Sequence, residues 1–110
     1  MLECVFGNQT AEKVLLHIFH YNETYASAIA KDYGVSKTPI LNPLERFEIG
    51  GILKSRGVGR SRLYSFNNKS PLTKHVKAMI EVLYKQIPME EKQILFQTRR
   101  RPRRKGKPVL

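Results

Sequence analysis

Between residues 36 and 66 the hydrophobic period changes, and that change restricts the folds open to this chain. Ile40, Leu44 and Phe47 recur at the spacing of one helix face. The run stops at Gly50-Gly51. Two short alternating segments follow, Ile52 to Arg56 and Arg62 to Phe66, on either side of Gly57-Val58-Gly59. Alternating segments around a glycine-rich connector predict a β-hairpin. Ser36 is placed to cap the helix, and Pro39 falls in its first turn, where a missing N–H costs little. Pro43 falls deeper. There it removes one hydrogen bond and crowds the carbonyl four residues back, at a cost of ~3 kcal/mol in a helix interior. A kink or a displaced first turn is expected at that point.

The flanking sequence reads as helix. Asn8 or Thr10 caps a first helix with Glu12 in its first turn, and Val14, Leu15, Ile18 and Phe19 share its inner face. Asn22 ends it, and Thr24 opens a second helix with Ala26, Ile29 and Ala30 inward. Tyr33-Gly34-Val35 is a tight turn that uses the freedom of Gly34 at positive φ. Beyond the hairpin, Asn67 to Ser70 is a loop, with Ser70 as cap and Pro71 at the first position of another helix. Leu72, Val76, Met79, Ile80, Leu83 and Ile87 form one apolar stripe on it. Pro88 breaks that helix, and Met89 to Thr98 form a further short one. No internal repeat is visible, and 110 residues suit one domain.

The charge is unevenly spread. The net value is +11, from 20 Lys+Arg against 9 Asp+Glu. Seven of the cations lie between Arg99 and Lys107: Arg99, Arg100, Arg101, Arg103, Arg104, Lys105 and Lys107. Without them 13 cations face 9 acids, so the body is mildly basic and the tail strongly so. Residues 1–98 are therefore expected to form the domain, and 99–110 a disordered basic tail. The hairpin is biased as well. It carries Lys54, Arg56, Arg60 and Arg62, and no acid falls between Lys54 and Phe66. A polyanionic partner follows from this distribution.

Several classes lack support in the sequence. One cysteine, Cys4, cannot make an intramolecular disulfide. No apolar run approaches the ~20 residues needed to span a bilayer, and Met1 to Gly7 lacks the basic start of a signal peptide. A polybasic membrane contact finds no lipidation motif or amphipathic anchor beside it. His17 and His20 sit three apart, which suits a metal pair less well than ordinary helix packing, since further ligands would be needed. No phosphate-binding glycine loop, Ser/His/Asp order or paired-carboxylate motif appears. The expectation is a protein of the cytoplasm, associated with the nucleoid, without enzymatic activity, metal or cofactor.

The local residues carry a resemblance. Tyr25-Ala26-Ser27-Ala28-Ile29-Ala30 followed by Gly34-Val35-Ser36 resembles the helix-turn-helix of prokaryotic transcriptional regulators. Leu44-Glu45-Arg46-Phe47-Glu48 and Gly51-Ile52-Leu53 resemble the end of their recognition helix and the start of a wing. Val58-Gly59-Arg60-Ser61-Arg62-Leu63-Tyr64 resembles the wing itself. Residues 8–85 together look like the ArsR/MarR-like winged-helix superfamily. The fold class so implied is mainly α with a small β-hairpin wing, closed by a C-terminal helix that serves dimerisation. Metal-sensing ArsR members carry a cysteine-rich pair on the recognition helix or ligand sets near the termini, and Ala26 to Phe47 holds neither cysteine nor histidine, so metal sensing is not carried over.

The resemblance gives the exposed residues their expected jobs. With Ile40, Leu44 and Phe47 inward, Thr38, Leu41, Asn42, Glu45 and Arg46 point away from the core at ~100° per residue. Asn42 suits a bidentate pair with adenine, and Thr38 and Leu41 suit thymine methyls. Lys37 and Arg46 are placed to hold phosphates, and Ser36 at the helix start is counted among the DNA-binding residues. Glu45 either accepts from a cytosine amine or repels phosphate. Lys54 with Arg56, and Arg60 with Arg62, are each expected to share a face of the hairpin. The tail arginines neutralise phosphates without reading sequence. The expected function is that of a sequence-specific DNA-binding transcriptional regulator, a repressor by preference. Its partners are double-stranded DNA and a second copy of the chain, with no membrane. Two alternatives share the composition: a nucleic-acid-binding structural protein without sequence preference, and a winged helix whose wing docks an acidic protein.

Overall fold

The computed structural model describes residues 2–96. The tail, with Arg99, Arg100, Arg101, Arg103 and Arg104, lies outside the described residues, as do the last residues of the helix expected to reach Thr98.

Helix α1 (Glu3–Phe6) ends at Gly7, whose φ of 100° only glycine adopts readily. Helix α2 (Gln9–Tyr21) then starts on a side-chain cap. Asn8 Oδ1 accepts from the Ala11 N–H at 2.8 Å, a contact worth ~1 kcal/mol. Val14, Leu15 and Ile18 on α2 are fully buried and form the middle of the core.

Asn22 leaves the helix at φ 71° and delivers the chain into β1 (Glu23–Tyr25). This corrects the expected helix start at Thr24. Thr24 is a strand residue, fully buried and directly opposite Tyr64, and α3 (Ala26–Tyr33) begins after it. Three residues show no period of their own. They are a strand because β3, far along the chain, offers them hydrogen bonds. The Thr24 hydroxyl finds no partner among the described residues. Thr24→Val, which keeps the β-branch and removes the buried donor, is expected to raise the urea midpoint, by up to ~1 kcal/mol of stability at unchanged m-value.

Helix α3 closes with Gly34 at φ 67°. The Gly34 N–H bonds the Lys31 carbonyl and the Val35 N–H the Ala30 carbonyl, which satisfies the helix end. Helix α4 (Thr38–Ile49) follows. Its cap position is held by Lys37, whose carbonyl accepts from Ile40 and Leu41, and no side chain caps it. The expected Ser36 cap is therefore not made. The first-turn donors lie on an exposed surface, where water satisfies them. The helix continues across Pro43 without a break. The ring is buried beside Ile40 and Leu44. The carbonyl that loses its partner belongs to Pro39, an exposed residue open to hydration.

Strands β2 (Leu53–Val58) and β3 (Ser61–Phe66) form the hairpin, in a three-stranded antiparallel sheet of order β1-β3-β2. The connector is shorter than 57–59. Gly57 and Val58 belong to β2, and the turn is Gly59-Arg60, with Gly59 at φ 61° and Arg60 not in the left-handed region. Glycine first with an ordinary second residue suits a type II′ turn. Leu53, Tyr64 and Phe66 turn one face of the sheet to the core.

Helix α5 (Thr73–Gln86) starts later than Pro71. Ser70 builds a turn, its Oγ accepting from the Leu72 N–H and its carbonyl from the Thr73 N–H, both at 3.3 Å, in place of a cap. The buried Thr73 hydroxyl donates to the Asn67 carbonyl at 2.6 Å. After Pro88, α6 (Met89–Leu95) leads to Phe96. The pair α3–turn–α4, the hairpin after it and the flanking helices make a winged helix-turn-helix, with six helices among the described residues.

Candidate functional site

Helix α4 is two-faced. Ile40 and Leu44 are 1% and 0% exposed, whereas Ser36, Lys37, Thr38, Leu41, Asn42, Glu45 and Arg46 are all exposed. The core fixes the helix rotation, so the outer face is a consequence of the inner one. Leu41, at 43% exposure, is an apolar patch among polar neighbours. Arg46 is engaged within the molecule. Its Nη2 donates to the Phe6 carbonyl at 3.1 Å, while Phe6 packs edge-on against Phe47. It ties α1 to α4.

The wing carries cations on both faces and at its tip. Lys54 and Arg56 stand opposite Ser65 and Leu63, so they share one face, as does Glu23, which also pairs with Ser65. Arg56 meets Glu23 at 3.4 Å, with both side chains well exposed. A pair of that kind is worth ~0–1 kcal/mol and leaves Arg56 free to exchange partners. Arg60 lies in the turn, so it does not share a strand face with Arg62. Arg62 stands on the other face, opposite Gly57.

Arg62 enters a side-chain chain that sequence reasoning missed. Its Nε donates to Ser55 Oγ at 3.0 Å, and the Ser55 hydroxyl donates to Glu48 Oε2 at 2.6 Å. Glu48 is in the last turn of α4, so the helix and the wing are joined by three polar side chains. Tyr64, paired with Ser55 in the sheet, has its phenol held neutral, first by burial and then by the Glu48 charge. Only the i+7 spacings of 48, 55 and 62 stand in the sequence, and such a spacing has no meaning until the strands are registered.

The two histidines of α2 are occupied within the fold. His17 Nε2 lies 2.7 Å from Asp32 Oδ2, with both side chains almost completely buried, which locks α2 to α3. His20 Nδ1 bonds the Tyr84 hydroxyl at 2.8 Å, and its ring stacks on Phe96 at 4.1 Å. Burial lowers the His20 pKa, and Lys92 adds to the effect. Cys4 is exposed. Among the described residues, no group of three or more His, Cys, Asp or Glu is arranged to hold a metal ion, and no helix is long and apolar enough to cross a membrane.

No family model matches the chain, and no curated protein matches it. Among solved structures, a mutant of Lactococcus lactis ZitR in its apo form is similar, with TM-score 0.48 and 16% identity over 79% of this chain and 74% of that one. The functional reading is carried by the chain's own residues.

Proposed function

We propose that the protein is a sequence-specific DNA-binding transcriptional regulator, acting as a repressor and as a homodimer. The observation that carries this reading is the two-faced α4. A rigidly seated helix offers Thr38, Leu41 and Asn42 on an exposed face, beside a hairpin whose exposed side chains include Lys54, Arg56, Arg60 and Arg62. A helix of this width fits a major groove, where its outer side chains meet base edges. Lys37 and Ser36 at its start, the wing cations and the tail cations Arg99, Arg100, Arg101, Arg103 and Arg104 hold phosphates. Arg46 joins them when its bond to Phe6 opens.

Apolar surface along the last two helices supports the dimer. Val82, Met89 and Ile94 are 57%, 67% and 65% exposed, and Val76, Met79, Leu83 and Ile87 are only half-buried. A second copy of α5 and α6 covers such a surface, and the pairing sets the distance between two half-sites.

The test is competition between a duplex selected from a randomised pool, or the DNA upstream of the protein's own gene, and a scrambled duplex. Asn42→Ala is expected to cut the preference by one base contact, roughly tenfold to a hundredfold, with thermal stability unchanged. Equal affinity for both duplexes in the parent protein would favour a general nucleic-acid-binding role. Absence of duplex binding at moderate salt would favour an acidic protein partner.

A further inference from the structure

We infer that Glu48, Ser55 and Arg62 form a positioning relay that sets the wing against α4. On the DNA-binding reading above, on which this inference rests, the relay fixes the spacing between the two surfaces that meet the duplex. The backbone between them is tied only at the base of the wing, where the Ile52 N–H bonds the Phe47 carbonyl at 2.9 Å and Asn67 Nδ2 donates to the Gly51 carbonyl at 3.1 Å. It passes through Gly50-Gly51, with Gly51 at φ 85°. The distal hairpin, from Arg56 to Arg62, is wholly exposed, and contact with the core cluster is made at its base by Leu53, Tyr64 and Phe66. On the face turned to α4, the side-chain tie that reaches the outer wing is the one through Ser55, while the exposed Arg56–Glu23 pair lies on the other face.

The hydrogen-bond polarity of the tie is consistent along its length. A serine hydroxyl has one proton. Ser55 gives it to the Glu48 carboxylate at 2.6 Å and accepts the Arg62 Nε–H at 3.0 Å. Both bonds have an ionised end, which strengthens and shortens them relative to neutral ones. The half-buried Ser55 links a helix residue to a β3 residue across β2. Arg62 spends its Nε on this bond, and its two Nη groups take no hydrogen-bond partner among the described residues. They remain available to a phosphate or a groove edge. Ser55 and Glu48 need not touch nucleic acid: they act through Arg62.

The experiment uses the full chain with Ser55→Ala, which breaks both bonds without changing charge, and Ser55→Thr, which keeps the hydroxyl on a side chain suited to a strand. Two quantities are read. The first is the heteronuclear NOE of the Arg62 Nε–H and of the Gly59 and Arg60 amides in the free protein. The second is the ratio of affinities for the selected and scrambled duplexes, together with the salt slope. Ser55→Ala is expected to lower the three NOEs and to reduce the ratio about tenfold. The salt slope stays the same because no charge is lost, and Ser55→Thr restores both readings. Parent-like NOEs in Ser55→Ala would overturn the relay, as would lowered NOEs with an unchanged ratio. Should Ser55→Ala not fold, Glu48→Ala removes the tie from its other end and is read by the NOEs and the affinity ratio alone, because it changes the charge. A parent protein that prefers no duplex counts against the DNA-reading function, and the NOEs alone then uphold or overturn the relay.

Discussion

A chain ending at Thr98 is expected to bind duplex DNA far more weakly than the full chain and with a much flatter salt dependence. The seven cations between Arg99 and Lys107 exceed half of the net charge of +11. Each phosphate neutralised contributes roughly −0.9 to the slope of log K against log salt, so their loss removes up to ~6 from it. Between 50 and 200 mM salt, that difference amounts to about a thousandfold or more in affinity. The ratio between selected and scrambled duplexes should survive, because phosphate contacts carry no sequence information. Fluorescence anisotropy across a salt series measures both. If truncation erased the preference while leaving the slope, the division of labour between tail and α4 would be wrong.

The largest effect on stability is expected at Leu44. The side chain is fully buried on α4 and packs in the cluster with Leu15, Ile18 and Ile29. Truncation to alanine removes its transfer energy and leaves a cavity that the neighbours fill only in part, at a cost of ~2–5 kcal/mol. Domains of this size have about 5–15 kcal/mol in total, so Leu44→Ala should lower the melting temperature by roughly 10–30 °C. Asn42→Ala, two residues away on the opposite face, should leave it unchanged. A loss below ~1 kcal/mol at Leu44 would mean that the core does not hold the helix in its rotation.

The parts of the fold legible in the sequence are those written in neighbouring residues. The Asn8 cap, the Gly34 turn, the inward set Ile40, Leu44 and Phe47, and the alternation of the hairpin each depend on a few consecutive side chains. What escaped depends on pairing at a distance. Glu23 to Tyr25 are a strand only because β3 lies beside them, and Glu23 reaches Arg56 only through that sheet. Ser36 and Ser70 carry the chemistry of a cap, yet in both cases the turn before the helix puts another residue in the cap position. Pro43 was a local warning, yet the helix runs through it with the residue buried. On the candidate site, exposure of the α4 face followed from the period. The engagement of Arg46 with Phe6, and the Ser55 link between Glu48 and Arg62, required the tertiary arrangement.

The order β1-β3-β2 places the best-paired strand in the middle and leaves two open rims. β1 is only three residues long, too short to template another chain, and β2 presents Lys54 and Arg56 along the other rim. Charged side chains on a rim discourage edge-to-edge growth into aggregates. The cations assigned to phosphates thus also discourage rim-to-rim strand pairing between molecules while no polyanion is present. Neutral, apolar replacements at Lys54 or Arg56 would weaken both properties together, and glutamate, which keeps a charge on the rim but repels phosphate, is the substitution that separates them.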